Sequence, residues 1–167
     1  MEKNQTVERI VKTAVIAAIY AAITLALAPF SYGNIQFRIS EIMVLLALFD
    51  PMYIGGLTLG CLIANMLGPN GVMDIVFGTI ATFISVSFIY LTGRYVKIKK
   101  VSLVIASLWP TIFNGLIIGW MLNKVYSLPL FLTMGQVAAG EFVVVTIIGV
   151  PITLLLKEKL KSILTSC

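Results

Sequence analysis

From Val101 to Leu122 the chain crosses a bilayer's worth of residues without one charged side chain, and comparable apolar runs recur along its length. In lipid every peptide group needs an internal hydrogen-bond partner, which leaves helices and closed barrels as the only spanning structures. The runs are broken by clusters of Gly, Pro and Asn rather than by period-two alternation, so the helical solution fits better than the barrel. Composition agrees: 59% of residues are hydrophobic and 11% charged, against about 25% charged in ordinary soluble domains. The expected fold is all-α, an integral membrane bundle forming a single domain over residues 1–167. Met1 to Lys12 is polar, and the run after it lacks a short core with a small-residue cleavage site, so no cleaved signal is expected.

Six helices are expected. The first runs from about Val7 to Ala28, with Ala14, Ala18 and Ala22 on one stripe and Ala17 and Ala21 beside it. Another helix can approach that face closely, either from this chain or from a separate subunit. Helices two and three are short, because Ile39 to Leu67 offers about 29 residues where two full spans need about 40. A helix from Ile39 to Phe49, a break with Asp50 as N-cap and Pro51 at the first helical position, and a helix from about Met52 to Leu67 satisfy the pattern. A re-entrant pair is the alternative. The fourth helix is expected from about Asp74 to Gly93, the fifth over Val101 to Leu122, and the sixth from about Pro129 to Leu156 with an interruption at Pro151.

With this order, Lys3, Arg9, Lys12, Arg94, Lys97, Lys99, Lys100, Lys157, Lys159 and Lys161 fall at one end, and only Arg38 and Lys124 at the other. Ten cations against two place both termini in the cytoplasm of a multi-pass cell-membrane protein.

The costly polar residues gather toward the opposite end. Between helices one and two, Asn34, Gln36, Arg38 and Ser40 alternate with apolar residues, as in a short extended segment, and Glu41 then enters the next apolar run. Glu41 and Asp74 lie at the outer rim, and Asn65 in the outermost turn of its helix. At about 1.5 Å per residue, Asn114 and Glu141 lie roughly 12 Å deep. The inner halves of the helices are nearly all apolar. A pore would distribute polar groups along its whole length, whereas this asymmetry describes a cup open to the outside. Each group has a structural reading too: Asp74 as an N-cap, Asn65 and Asn114 as interhelical hydrogen-bond partners, and Arg38 and Glu41 as a mutual pair. Glu141, flanked by Val137, Val143, Val144 and Val145, needs a cation, a donor-rich ligand or a proton. Trp109 reads as interior packing, and Trp120 and Tyr126 as an interfacial belt.

Other chemistries are disfavoured. Histidine is absent and the two cysteines, Cys61 and Cys167, are isolated, so neither a metal centre nor a disulfide is expected. No phosphate loop ending in Lys-Ser or Lys-Thr occurs, and no nucleophile with a positioned base can be assembled. The protein is not expected to be an enzyme or to hold a cofactor. The formal charge of +5 sits in clusters flanking apolar segments, which reads as topology rather than nucleic-acid binding.

The stretch Asn-Ile-Gln-Phe-Arg-Ile-Ser-Glu (34–41), with Gly-Cys-Leu-Ile-Ala-Asn-Met-Leu-Gly (60–68) and Asp-Ile-Val-Phe-Gly-Thr-Ile-Ala-Thr (74–82), resembles the QueT family. These are substrate-binding S components of energy-coupling factor (ECF) transporters. The resemblance implies uptake of a queuosine precursor, a 7-deazaguanine base or queuine, by a six-helix protein that associates with a transmembrane T component and two cytoplasmic ATPases. It moves Ala14, Ala18 and Ala22 toward docking the T component. For a purine-like ligand, Glu141 or Glu41 would receive the guanine-like N–H edge. Asn65, Asn114 and Arg38 would take the carbonyl and ring acceptors, with Gln36 in the same loop, Phe37 over the ring face and Asp74 at a cationic substituent. An S component for another vitamin, a stand-alone proton-coupled carrier using Glu141, and a purely structural role are the alternatives.

Overall fold

The computed structural model describes residues 2–33 and 35–156, with side chains from Gln5 onward. Lys157, Lys159, Lys161 and Cys167 lie outside the described residues, as does Asn34. Among the described residues all regular structure is helical. The order is α1 (Glu2–Ala26), the single turn α2 (Ala28–Ser31), a 3-10 helix (Ile39–Leu48), α3 (Met52–Leu67), α4 (Gly71–Tyr95), α5 (Lys99–Tyr126) and α6 (Leu130–Glu141). The last continues into a π-helix (Phe142–Gly149).

Among the described residues four segments are long and apolar enough to cross a membrane: 5–26, 71–95, 99–126 and 130–156. The two shorter apolar helices, Ile39–Leu48 and Met52–Leu67, pack inside the bundle against them. The short helix expected from Ile39 is present and takes the 3-10 form. At about 2.0 Å rise per residue, ten residues reach roughly 20 Å instead of roughly 15 Å, so the tighter winding carries a short run further. The break after it falls at Asp50, whose carboxylate accepts the Met52 N–H at 2.7 Å; α3 starts at Met52 with Pro51 in the N-cap place, one residue later than expected.

The elements meet at two ends. At the lysine-rich end Arg9 reaches Asp50 at 3.5 Å, and Phe49 lines one cavity with Arg94 and Lys97. At the other end the Tyr126 hydroxyl donates to Asn70 Oδ1 at 2.9 Å, and the Tyr32 hydroxyl donates to the Ala64 carbonyl at 2.6 Å. The main core of Tyr20, Leu45, Tyr53, Leu57, Val86 and Ile89 lies between, with a smaller one around Met121, Leu122 and Val137. Trp109 packs as expected, stacked on Phe113 at 5.7 Å between ring centroids, its indole N–H donating to Thr92 Oγ1 at 2.8 Å.

Helix α1 divides its small residues between two faces. Ala17 and Ala21 are buried, and α3 comes so close that a Cβ on Gly60 would stand 2.8 Å from the Ala17 carbonyl oxygen and 2.9 Å from Tyr20 Cβ. Ala14, Ala18 and Ala22 remain exposed on the outer face. Replacing Gly60 by valine forces these backbones apart and is expected to destabilise the protein by about 1–3 kcal/mol, read as a lowered unfolding temperature of the purified chain in detergent. Gly55 has open space at its Cβ, so Gly55→Ala serves as the control with little effect.

The expected interruption of the last helix is real but begins upstream of Pro151, as the π-helix at Phe142–Gly149. Proline has no N–H to return to the carbonyl one turn back, and here the turns preceding it widen while the chain stays helical through Leu156.

Candidate functional site

The loop after Tyr32 turns its polar side chains inward, in the alternation that the period-two pattern predicted. Gln36, Arg38, Ser40 and Glu41 are each at most 3% exposed, while Ile35 is 47% exposed. The loop is clamped on both sides. On one, Gly68 admits the Tyr32 ring so closely that a Cβ would stand 2.6 Å from it. On the other, Gly140 of α6 meets the Ile35 backbone where any Cβ would collide with the carbonyl oxygen. Gln36 sits in the left-handed region at φ 51°, an unfavourable place for a side chain other than glycine, and so the clamp holds a strained residue beside Arg38. Gly140→Val is expected to push the loop off α6. The measurement is accelerated hydrogen exchange across residues 35–38, with helix α4 unaffected.

Arg38 turns toward α4. Its Nη2 contacts Asp74 Oδ2 at 3.1 Å and Oδ1 at 3.4 Å, its Nε donates to the Ser31 carbonyl at 3.2 Å, and its guanidinium lies 5.2 Å from the Tyr32 ring centroid. The alternative of a mutual Arg38–Glu41 pair is therefore not the one the fold adopts. The Glu41 side chain instead accepts a hydrogen bond from the Tyr20 hydroxyl of α1. Asp74 is also not the N-cap of α4. The helix begins a turn earlier, and the carboxylate accepts from Asn70 Nδ2 at 3.3 Å as well as from Arg38. Asn65 Nδ2 donates to the Asp74 carbonyl at 3.0 Å, with Cys61 Sγ at 3.3 Å, which is the interhelical contact that its structural reading described. Gly78 makes room for this knot, since a Cβ there would stand 2.5 Å from Asn65 Nδ2.

A second pairing joins α5 to α6: Asn114 Nδ2 donates to Glu141 Oε1 at 2.7 Å. Gly140, next to Glu141, meets the Ile35 backbone of the loop that carries Gln36 and Arg38, so the two pairings lie on neighbouring elements. Phe37 is partly buried against the main core at its edge. Tyr20, Thr24 and Cys61 also make polar contacts here. Thr24 Oγ1 and Ser40 Oγ are 2.6 Å apart, and Thr82 Oγ1 donates to Cys61 Sγ at 3.2 Å. A tyrosine and a threonine inside an apolar helix look like core and interfacial residues in a sequence. Their spacing of four, on the stripe that includes Ala17, was the available signal.

Arg38 and Asp74 neutralise one another, which leaves Glu41 and Glu141 as two carboxyl groups with no cationic side chain bonded to either among the described residues. One oxygen of each, Glu41 Oε2 and Glu141 Oε2, has no hydrogen-bond partner, nor do Gln36 Nε2 and Asn65 Oδ1. A buried polar atom left unpaired costs about 1–3 kcal/mol, more if charged, which is hard to justify in a purely structural cluster. These four atoms leave two carboxyl oxygens, an amide donor and an amide acceptor unpaired in the buried interior.

Four long apolar helices around buried polar side chains describe a multi-pass membrane protein. A family model described as QueT transporter matches residues 10–158, and the chain belongs to that family. It is 34% identical to the queuosine precursor transporter QueT of Lactococcus lactis subsp. cremoris, over 85% of this chain and 88% of the relative. No solved structure matches.

Proposed function

We propose that the protein is the substrate-binding S component of an ECF-type importer and takes up a queuosine precursor, either a 7-deazaguanine base or queuine. The observation that carries this reading is the pair of buried carboxyl groups, each with one unpartnered oxygen, beside an arginine already neutralised by Asp74. A guanine-like edge presents adjacent N–H donors, and a carboxylate accepts them in the charge-assisted geometry that combines strength with selectivity. Glu141 is the reader of that edge, held in orientation by Asn114. Gln36 Nε2 and Asn65 Oδ1 complement the ring carbonyl and a further N–H. Phe37 covers the ring. Arg38 and Asp74 shape the wall of the site. Glu41, rather than the engaged Asp74, faces a cationic substituent.

Both termini lie in the cytoplasm in this reading, in keeping with the lysine-rich end, and the cup opens outward. Ala14, Ala18 and Ala22 form the face for the T component. The exposure of that stripe supports the assignment, since α1 already uses the neighbouring Ala17 and Ala21 against α3. Partner ATPases then drive reorientation of the whole subunit.

Calorimetric titration of the purified chain with guanine, queuine and its smaller precursors tests the substrate. Saturable binding of a deazaguanine, with guanine weaker, is expected, and no binding of any of them overturns the reading. Reconstitution in liposomes tests the mechanism. The chain alone is expected to bind but not accumulate ligand until T component, ATPases and ATP are supplied. Accumulation by the chain alone under a pH gradient identifies a proton-coupled carrier instead.

A further inference from the structure

At the end opposite the polar cluster, α4, α5, the close of the 3-10 helix and the tail of the last helix enclose a cavity of about 410 Å³. Its rim carries Arg94, Lys97 and Lys99, and its wall is apolar, with Leu48, Leu103 and Leu154 among the lining residues. None of the three cations forms a salt bridge among the described residues. Thr153 lines the same cavity at 6% exposure, and its hydroxyl has no hydrogen-bond partner among the described residues. The first amides of α5 open beside it without a side-chain cap at Ile98.

We propose that this cavity binds an anionic phospholipid. The headgroup phosphate meets the three cations, the Thr153 hydroxyl and the α5 amides, and the first methylenes of an acyl chain lie on the leucines. The chemistry selects an amphiphile. Cations and free amides at a helix start suit a phosphate, while the apolar wall has no use for an inorganic ion. Leu154 is 41% exposed, so the wall runs outward toward the lipid-facing surface and gives a chain a way in. The volume is that of a small-molecule pocket. The cavity lies where α4 ends and α5 begins, the level at which a phosphate headgroup sits when the helices span a bilayer. This inference does not depend on the identity of the transported substrate.

Native mass spectrometry of the full purified chain, with dioleoyl phosphatidylglycerol or dioleoyl phosphatidylcholine in the detergent, tests it. Phosphatidylglycerol is expected to be retained at least about tenfold more strongly than phosphatidylcholine. The triple variant R94Q/K97Q/K99Q should lose that preference. Lys100→Gln removes a neighbouring cation that does not line the cavity and should keep it. Thr153→Phe fills the cavity and leaves every cation in place. It too should abolish the preference, and its survival there would show that surface charge alone attracts the lipid and overturn the proposal. Equal retention of the two lipids by the unaltered chain overturns it as well, as does displacement of phosphatidylglycerol by millimolar inorganic phosphate.

Discussion

Replacing Arg38 by methionine is expected to destabilise the protein by about 3–5 kcal/mol, the usual consequence of leaving one partner of a buried ion pair without the other. Both side chains are nearly inaccessible, at 4% and 1% exposure, so water cannot replace the lost guanidinium at Asp74. The Asp74 carboxylate would keep only Asn70 Nδ2 as a side-chain donor, and the loop would lose its Nε bond to the Ser31 carbonyl. Asp74→Asn alone is expected to be milder, because an amide still accepts from Arg38, although a buried cation without a full counter-charge remains costly. The double variant R38M/D74L should recover much of the loss, since apolar groups of similar volume often replace a buried pair without penalty. Unfolding temperatures of the unaltered protein, R38M, D74L and R38M/D74L in one detergent form the cycle. A double variant destabilised by the sum of the two single losses would show that the pair contributes no coupling.

Glu141→Gln is expected to weaken binding of a deazaguanine ligand by at least about tenfold, roughly 1.4 kcal/mol, with little change in thermal stability. The substitution keeps the shape and the acceptor that meets Asn114, but it exchanges a carboxylate oxygen for an N–H₂ where the ligand's own N–H would point. Two donors then face each other. The loss falls in the range of a charge-assisted hydrogen bond, about 1.5–3 kcal/mol. Asn114→Leu should produce a similar but smaller defect, because Glu141 keeps its charge and loses its orientation. Calorimetry on the purified variants gives both values, and an unchanged affinity for Glu141→Gln removes this carboxylate from the site.

Much of the candidate site was legible because it violates the rule of the surrounding sequence. Arg38, Glu41, Asp74 and Glu141 are charged residues in membrane-grade apolar surroundings, and each had to be engaged with something. The alternation through residues 35–40 showed which side chains share a face, and the buried Gln36, Arg38 and Ser40 do. The partners were not legible. Arg38 and Glu41 are three residues apart and invite pairing, yet the segment is extended at Arg38 before the 3-10 turns begin, and Arg38 meets a residue 36 positions later. Tyr20 was overlooked because tyrosine inside an apolar helix has no cost that demands an explanation.

Residence in a membrane, helical structure, the two short central helices and the inward polar stripe were decided by the sequence alone, because hydropathy, helix breakers and periodicity act over one or two turns. The tertiary structure alone decided that the Ile39 run stretches as a 3-10 helix, that α1 gives Ala17 to α3 and leaves Ala18 outside, and that Asp74 takes Arg38 while Tyr20 takes Glu41. These outcomes depend on how close two distant backbones come, which at Gly60, Gly68, Gly78 and Gly140 is set by the absence of a single carbon. Local free energies carry no term for that distance, and so it emerges only when the helices pack.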